Sequence, residues 1–170
     1  MRVLFVCTAN SCRSQIAEAW GRALLPAGWQ VESAGLLTYP ITEDTRAVMA
    51  EAGLDMAGQH SKAYDEFSLD DYDLIVTLSE EAGRFLPALA DPERHWHRPL
   101  PDPMQERGDR EQVVAAFRAA RDRIRDLVAG LPARWAAGAD GTAGQGNGPA
   151  TGGAAGNSDL PGLGGGPSGG

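Results

Sequence analysis

Residues 3–14 read VLFVCTANSCRS, and this stretch decides the fold of the chain. Its first four residues are all apolar, which is typical of a strand buried on both faces. Residues 14–25 follow with apolar side chains that recur every three or four positions, the pattern of an amphipathic helix. The segment from Cys7 to Ser14 is therefore predicted to be the loop that joins a buried strand to a helix.

The rest of the first 136 residues alternates between strands and helices in the same way. Asp109 and Gln112 are expected to begin the last helix as a capping box, and Gly130 and Pro132 to end it. The alternation indicates an α/β domain with a parallel sheet and right-handed crossovers. The predicted elements are strands at 29–34, 74–78 and 95–98, and helices at 42–53, 80–86 and 109–130.

The composition changes sharply near residue 137, since fourteen of the 22 glycines lie between Gly138 and Gly170. The segment 137–170 has almost no charge and consists largely of small and polar residues. Such a segment buries too little apolar surface to offset the entropy cost of ordering it. We predict one folded domain at 1–136 and a disordered Gly-rich tail at 137–170. A linker to a missing partner is equally consistent with this composition.

The net charge of −8 argues against nucleic acid and anionic membranes as partners. The N-terminus lacks the apolar stretch of a secretion signal, and no apolar run approaches the length of a membrane span. These features predict a cytoplasmic protein, in which thiols stay reduced. The two cysteines, Cys7 and Cys12, are therefore expected to be reactive rather than a structural disulfide.

The loop that starts at Cys7 suits an oxyanion. The N-terminus of the following helix offers unpaired N–H groups and the positive end of its dipole, which hold a tetrahedral anion. Arg13 adds a planar bidentate donor, and the same field stabilises a Cys7 thiolate. Ser14 is placed to donate a hydrogen bond to that thiolate, and Asn10 tolerates the left-handed backbone of a tight loop.

The predicted site therefore combines a nucleophile with an anion-binding loop. Cys7 is the nucleophile; the alternative, an ordinary buried cysteine after a strand, does not explain Arg13 and Ser14 in the same loop. Cys12 is either a small apolar filler or a partner for a reversible disulfide with Cys7. No metal is predicted, because the three histidines show no recognised ligand spacing with the cysteines. The residues expected to bind the anion are Thr8, Ala9, Asn10, Ser11, Cys12, Arg13 and Ser14.

The Cys7-x5-Arg13-Ser14 pattern resembles the signature of the low-molecular-weight protein tyrosine phosphatases and of their relatives, the arsenate reductases. The resemblance covers roughly residues 1–132. It implies a four-stranded parallel sheet with helices on both faces and no cofactor in the chemical step. It also implies that Asp102, which precedes Pro103, is the general acid on a loop over the anion.

Several positions resemble the arsenate reductases more than the phosphatases. Gln15 stands where the phosphatases usually carry proline, and Met104 where they usually carry an aromatic residue. The stretches 32–35 and 95–96 also resemble the reductases. Reduction of arsenate is therefore the expected activity. Hydrolysis of phosphotyrosine through a phosphocysteine is the alternative, and a non-catalytic oxyanion-binding module is a third possibility.

The sequence departs from the thioredoxin-linked reductases in its cysteines. Those enzymes carry two further cysteines after the strand that matches residues 74–78. This chain has Ser79, Glu80 and Glu81 there, and no cysteine beyond Cys12. The second thiol is then Cys12 or an external small thiol such as glutathione or mycothiol. The expected partner is a glutaredoxin-like or mycoredoxin-like reductant.

Some reductase relatives bind potassium beside the loop, and Asn10, Glu18 and Ser33 match that site. A further acidic ligand of the site is replaced near Lys62, the only lysine of the chain. The Lys62 ammonium is expected to take the place of the cation.

Overall fold

The structure is a computed structural model that describes residues 1–139. Its sheet has four strands, and all neighbouring strands run parallel. The strands are β1 (Arg2–Cys7), β2 (Gln30–Gly35), β3 (Leu74–Thr77) and β4 (His95–His97). They lie in the order β2-β1-β3-β4, so β1 is central. The predicted parallel sheet is confirmed, and each strand end lies within one residue of its predicted place.

Within residues 1–139, five α-helices connect or follow the strands. Thr42 begins the second helix by accepting a hydrogen bond from the backbone N–H of Thr45. Asp109 and Gln112 form the predicted capping box at the start of the fourth. The helices are α1 (Arg13–Leu24), α2 (Glu43–Glu51), α3 (Glu80–Phe85), α4 (Arg110–Ala129) and α5 (Leu131–Ala139).

The predicted end of the fourth helix at Gly130 is confirmed, and a further helix that was not predicted follows it. Gly130 ends α4, but Pro132 is the second residue of α5, where a missing N–H breaks no intrahelical hydrogen bond. Leu131 at the start of α5 is buried in the core. The predicted tail overlaps the end of α5, and its remainder, 140–170, lies outside the described residues.

Helices cover both faces of the sheet, as the resemblance implies. Val3 and Phe5 of β1 belong to the core cluster that Ile16 of α1 and Phe117 of α4 complete. The intervening residue Leu4 belongs to a second cluster on the other face, which α3 covers. This alternation buries β1 completely beyond Arg2 and explains its continuous apolar run.

The strand order places the start of the anion loop at the middle of the sheet edge. β1 ends at Cys7, α1 begins at Arg13, and the loop between them lies at the carboxyl end of the central strand. The chain after β2 runs beside this loop, since the N–H of Leu36 donates to the Cys7 carbonyl at 3.1 Å. Within residues 1–139, no helix is long and apolar enough to cross a bilayer.

Candidate active site

Cys7 lies at a cavity of about 330 Å³ at the carboxyl edge of the sheet. Its side chain is buried, and Ser14 Oγ lies 2.9 Å from its sulfur. The cavity brings together three separate parts of the chain: the loop after β1, the segment before α2 and the loop before α4. The lining residues are Cys7, Thr8, Ala9, Ser11, Cys12, Arg13, Tyr39, Pro40, Thr42, Asp102 and Met104.

Asn10 stabilises the loop through the hydrogen bonds of its side chain. It is fully buried and adopts a left-handed backbone conformation with φ of 46°. Its Oδ1 accepts hydrogen bonds of 2.8 Å from the backbone N–H of Lys62 and from Gln15 Nε2. Because a backbone N–H can only donate, this contact fixes which side-chain atom of Asn10 is the oxygen.

The orientation of Asn10 also sets the role of Ser14. Asn10 Nδ2 donates to Ser14 Oγ at 2.8 Å and to Ser33 Oγ at 2.9 Å. Ser14 therefore accepts from Asn10, and its own hydroxyl proton is free to point at the Cys7 sulfur. A hydrogen bond in that direction stabilises a thiolate, which makes Cys7 both a better nucleophile and a better leaving group.

Arg13 and Asp102 meet at the wall of the cavity. Arg13 Nη2 lies 3.1 Å from Asp102 Oδ2, and Arg13 Nη1 donates to the Leu100 carbonyl at 2.9 Å. The other carboxylate oxygen of Asp102 accepts from the backbone N–H of Met104 at 3.0 Å. The fold thus brings the predicted general acid to the predicted anion-binding arginine across 89 residues of sequence.

Thr8 connects the loop to the start of α3, a contact that sequence reasoning did not identify. Its Oγ1 lies 3.1 Å from both Ser79 Oγ and Glu81 Oε2. The pKa of Glu81 is lowered, first by a hydrogen bond from the Glu81 backbone amide and then by one from the Thr8 hydroxyl. The position of Ser79 in the sequence is the signal that could have revealed this contact, because Ser79 follows the strand next to β1 and caps α3.

Cys12 is buried at the start of α1, where its carbonyl accepts from the backbone N–H of Ile16. Burial raises the pKa of its thiol to about 12, although a hydrogen bond with Thr45 opposes this shift. Both cysteines are free thiols. Since a protonated thiol is a poor nucleophile, this environment favours the interpretation of Cys12 as a packing residue.

Lys62 lies against the buried carboxylate of Glu18, with 3.3 Å between its Nζ and Glu18 Oε2. Its Nζ also donates to the His60 carbonyl at 3.0 Å. Glu18 contacts Ser33 and Arg22 as well, and Ser33 links it to Asn10. The Lys62 ammonium therefore contacts Glu18, one of the three residues that match the potassium site of some relatives, and its role in place of that cation stays a prediction.

The histidines lie apart from this cavity. His95 and His97 share one face of β4, as predicted, and a ring nitrogen of each lies 2.9 Å from Thr77 Oγ1. Burial lowers the pKa of His95. In the part of the chain that the structure describes, no three His, Cys, Asp or Glu side chains are arranged to hold a metal ion.

Comparison with known proteins agrees with this geometry. The chain is 38% identical to the arsenate reductase of Halalkalibacterium halodurans over 122 residues, which cover 72% of this chain and 88% of that protein. Its identity to the arsenate reductase of Bacillus subtilis is 35%, with the same coverage of both chains.

Solved structures share the fold. A structure described as an arsenate reductase in the phosphate binding state has a TM-score of 0.65 and 31% identity, and the match covers 78% of this chain and 97% of that one. The low molecular weight protein tyrosine phosphatase of T. tengcongensis also has a TM-score of 0.65, at 23% identity, and covers 79% of this chain and 99% of its own. The model of the low molecular weight phosphotyrosine protein phosphatase family matches residues 2–138, and the chain therefore belongs to that family.

Proposed function

We propose that the protein reduces arsenate to arsenite with Cys7 as nucleophile and an external small thiol as reductant. The observation that carries the proposal is the convergence of Cys7, Arg13 and Asp102 on one cavity. The arsenate reductases to which the chain is 32–38% identical support the choice of substrate. Loop residues Thr8 to Ser14 bind the oxyanion in this account.

The first step forms a bond between Cys7 sulfur and arsenic. The Cys7 thiolate attacks arsenate, an As–O bond breaks, and Asp102 protonates the departing oxygen so that it leaves as water. Arg13 and the backbone N–H groups at the start of α1 hold the remaining oxygens. Ser14 stabilises the thiolate before the attack, through the 2.9 Å contact with Cys7.

The second step transfers two electrons. A thiolate attacks Cys7 sulfur, the S–As bond breaks, and its electron pair stays on arsenic, which leaves as arsenite. Cys7 and the small thiol are then joined in a mixed disulfide. A second thiol exchanges with that disulfide and restores Cys7. In total, one arsenate and two thiols give one arsenite, one disulfide and one water.

The reducing thiols are expected to come from outside the chain. The sequence has no cysteine beyond Cys12, and the Cys12 thiol is buried and protonated. A small thiol such as glutathione or mycothiol can enter the cavity, and a glutaredoxin-like or mycoredoxin-like protein then resolves the mixed disulfide. The reducing cytoplasm is the compartment that this chemistry requires.

Phosphotyrosine hydrolysis is the second candidate, and Tyr39 favours it. This side chain lines the cavity and is 57% exposed, so it offers an aromatic surface to a phenyl ring. In that reaction Cys7 attacks phosphorus, Asp102 protonates the phenolate, and water hydrolyses the phosphocysteine. The third candidate, a non-catalytic oxyanion module, gives no reason for the placement of Asp102 beside Arg13.

A direct comparison of the two reactions on the purified protein tests the proposal. Arsenite formation with a small thiol is measured beside hydrolysis of an aryl phosphate, for the wild type and for Cys7→Ser. We expect arsenite from the wild type, and loss of at least about 1,000-fold in the variant, because a serine hydroxyl is not ionised at neutral pH. Brisk aryl phosphate hydrolysis without any arsenite would assign the protein to the phosphatases instead.

A further inference from the structure

A second cavity, of about 300 Å³, lies between the loop that carries Asp102 and helix α4. Asp102 lines this cavity as well as the cavity that contains Cys7, so it forms a wall common to both. The family comparison and the proposed chemistry assign no role to this second space.

Small side chains of helix α4 leave space for this cavity, and an arginine of the same helix gives it a positive charge. Ala116, Ala119 and Ala120 line it, and their small side chains leave space against the loop. Arg123 lines it too. The other four arginines of α4 each form an ion pair with a carboxylate, whereas the Arg123 side chain forms no ion pair or hydrogen bond within residues 1–139. The guanidinium of Arg123 is therefore available to an external anion.

The loop side of the same cavity carries a carboxylate. Glu106 uses its Oε1 to accept from the backbone N–H groups of Arg107 at 2.9 Å and Gly108 at 2.8 Å. Its Oε2 makes no hydrogen bond or ion pair among the described residues. The cavity thus presents a guanidinium and a carboxylate oxygen that are both unpaired among residues 1–139, and the two complement a zwitterion.

We propose that this cavity binds the reducing thiol, as a small molecule that carries both a carboxylate and an ammonium group. The carboxylate pairs with Arg123, the ammonium with Glu106, and the sulfur points past Asp102 toward Cys7. This inference rests on the proposed arsenate reduction. In this arrangement the thiol approaches Cys7 sulfur from the side of Asp102 while arsenic occupies the first cavity.

Asp102 connects the two cavities chemically. Once it has given its proton to the departing water, Asp102 is a carboxylate, and it can accept the proton of the incoming S–H group. The resulting thiolate attacks Cys7 sulfur, a disulfide bond forms, and the electrons of the S–As bond pass to arsenic. The proton of the thiol thus passes to Asp102, and both electrons of the S–As bond pass to arsenic.

Steady-state kinetics with two thiols test this assignment. Glutathione carries the charged groups that the cavity selects, and 2-mercaptoethanol lacks them. We expect Arg123→Ala to raise the KM for glutathione about tenfold, as loss of one charge-assisted hydrogen bond predicts. The kcat at saturating thiol, the KM for arsenate and the KM for 2-mercaptoethanol stay unchanged. Arg125→Ala, on the same helix but paired with Asp126, is the matched control.

An unchanged KM for glutathione in Arg123→Ala overturns the proposal, and so does an equal rise for both thiols. Absence of arsenite with either thiol in the wild type contradicts the proposed function instead. The cavity is then tested by binding of S-methylglutathione, which cannot react, followed by NMR. Signal shifts at Ala119 that Arg123→Ala abolishes support the site, and no binding to the wild type overturns it.

Discussion

Arg13 and Asp102 contact each other at the wall of the nucleophile cavity, with 3.1 Å between Nη2 and Oδ2. Both side chains are largely buried, at 7% and 21% exposure. The Asp102 carboxylate thus occupies an N–H donor of Arg13 that binds the oxyanion in the proposed mechanism. Substrate binding must replace this contact, and release of Asp102 from Arg13 frees the acid to face the leaving oxygen.

Asp102→Asn is therefore expected to separate binding from turnover. The amide carries no charge to compete for Arg13, so phosphate should bind several-fold more tightly in a calorimetric titration. It also donates no proton to a leaving group, so turnover should fall at least about 100-fold. Asp126→Asn on α4 is the control and should change neither quantity. Weaker phosphate binding in Asp102→Asn would contradict the competing role of the carboxylate.

Cys12 should influence stability at high pH rather than turnover. Burial raises the pKa of its thiol from 9.0 to about 12. A group that holds its proton more tightly in the folded state contributes full stability below about pH 9 and loses it as the pH rises toward 12. The free energy of unfolding of the wild type should therefore fall between pH 9 and 10 more steeply than that of Cys12→Ser.

The same variant tests whether Cys12 supplies the second thiol of the reaction. With a small thiol as reductant, Cys12→Ser should keep most of its arsenate turnover, because the proposed electrons come from outside the chain. Loss of turnover comparable to that of Cys7→Ser, in a folded variant, would assign Cys12 the role of second thiol.

Lys62→Met should leave the buried Glu18 carboxylate with one fewer cationic partner. Removal of one member of a buried ion pair costs about 3 kcal/mol, and we expect a loss of that order in urea unfolding. If the ammonium takes the place of a cation, potassium chloride should stabilise the variant more than the wild type. Choline chloride at equal ionic strength is the control, and equal stabilisation by both salts would contradict this interpretation.

Gly35→Ala should damage the loop from the end of β2. A Cβ at this position would lie 2.6 Å from the backbone nitrogen of Asn10, too close for any real contact. We expect the loop to shift and turnover to fall at least about tenfold, since a displacement near 1 Å costs that much or more. Gly58→Ala meets no atom within 4 Å and is the matched control. Equal activity of the two variants would show that the loop tolerates the shift.

The sequence predicted what depends on local patterns. The apolar run before Cys7 predicted the central strand, and the loop motif predicted the nucleophile and Arg13, because strand, loop and helix are contiguous. Asp102 required the family resemblance, since no local pattern places a residue 89 positions away beside Arg13.

Other features depend on how distant segments pack. The contacts of Thr8 with Ser79 and Glu81 follow from the pairing of β1 with β3, which the sequence implies only as a sheet. The cavity beside Arg123 depends on the separation between α4 and the Asp102 loop. Helix α5 was not predicted, because proline is found both after a helix and in its first turn.

Mass spectrometry of the enzyme, quenched during arsenate turnover with glutathione, tests the central claim most directly. The account predicts that Cys7 carries one glutathione as a mixed disulfide, that a glutaredoxin removes it, and that arsenite accumulates with repeated turnover. A disulfide between Cys7 and Cys12 with efficient turnover by thioredoxin alone would contradict it.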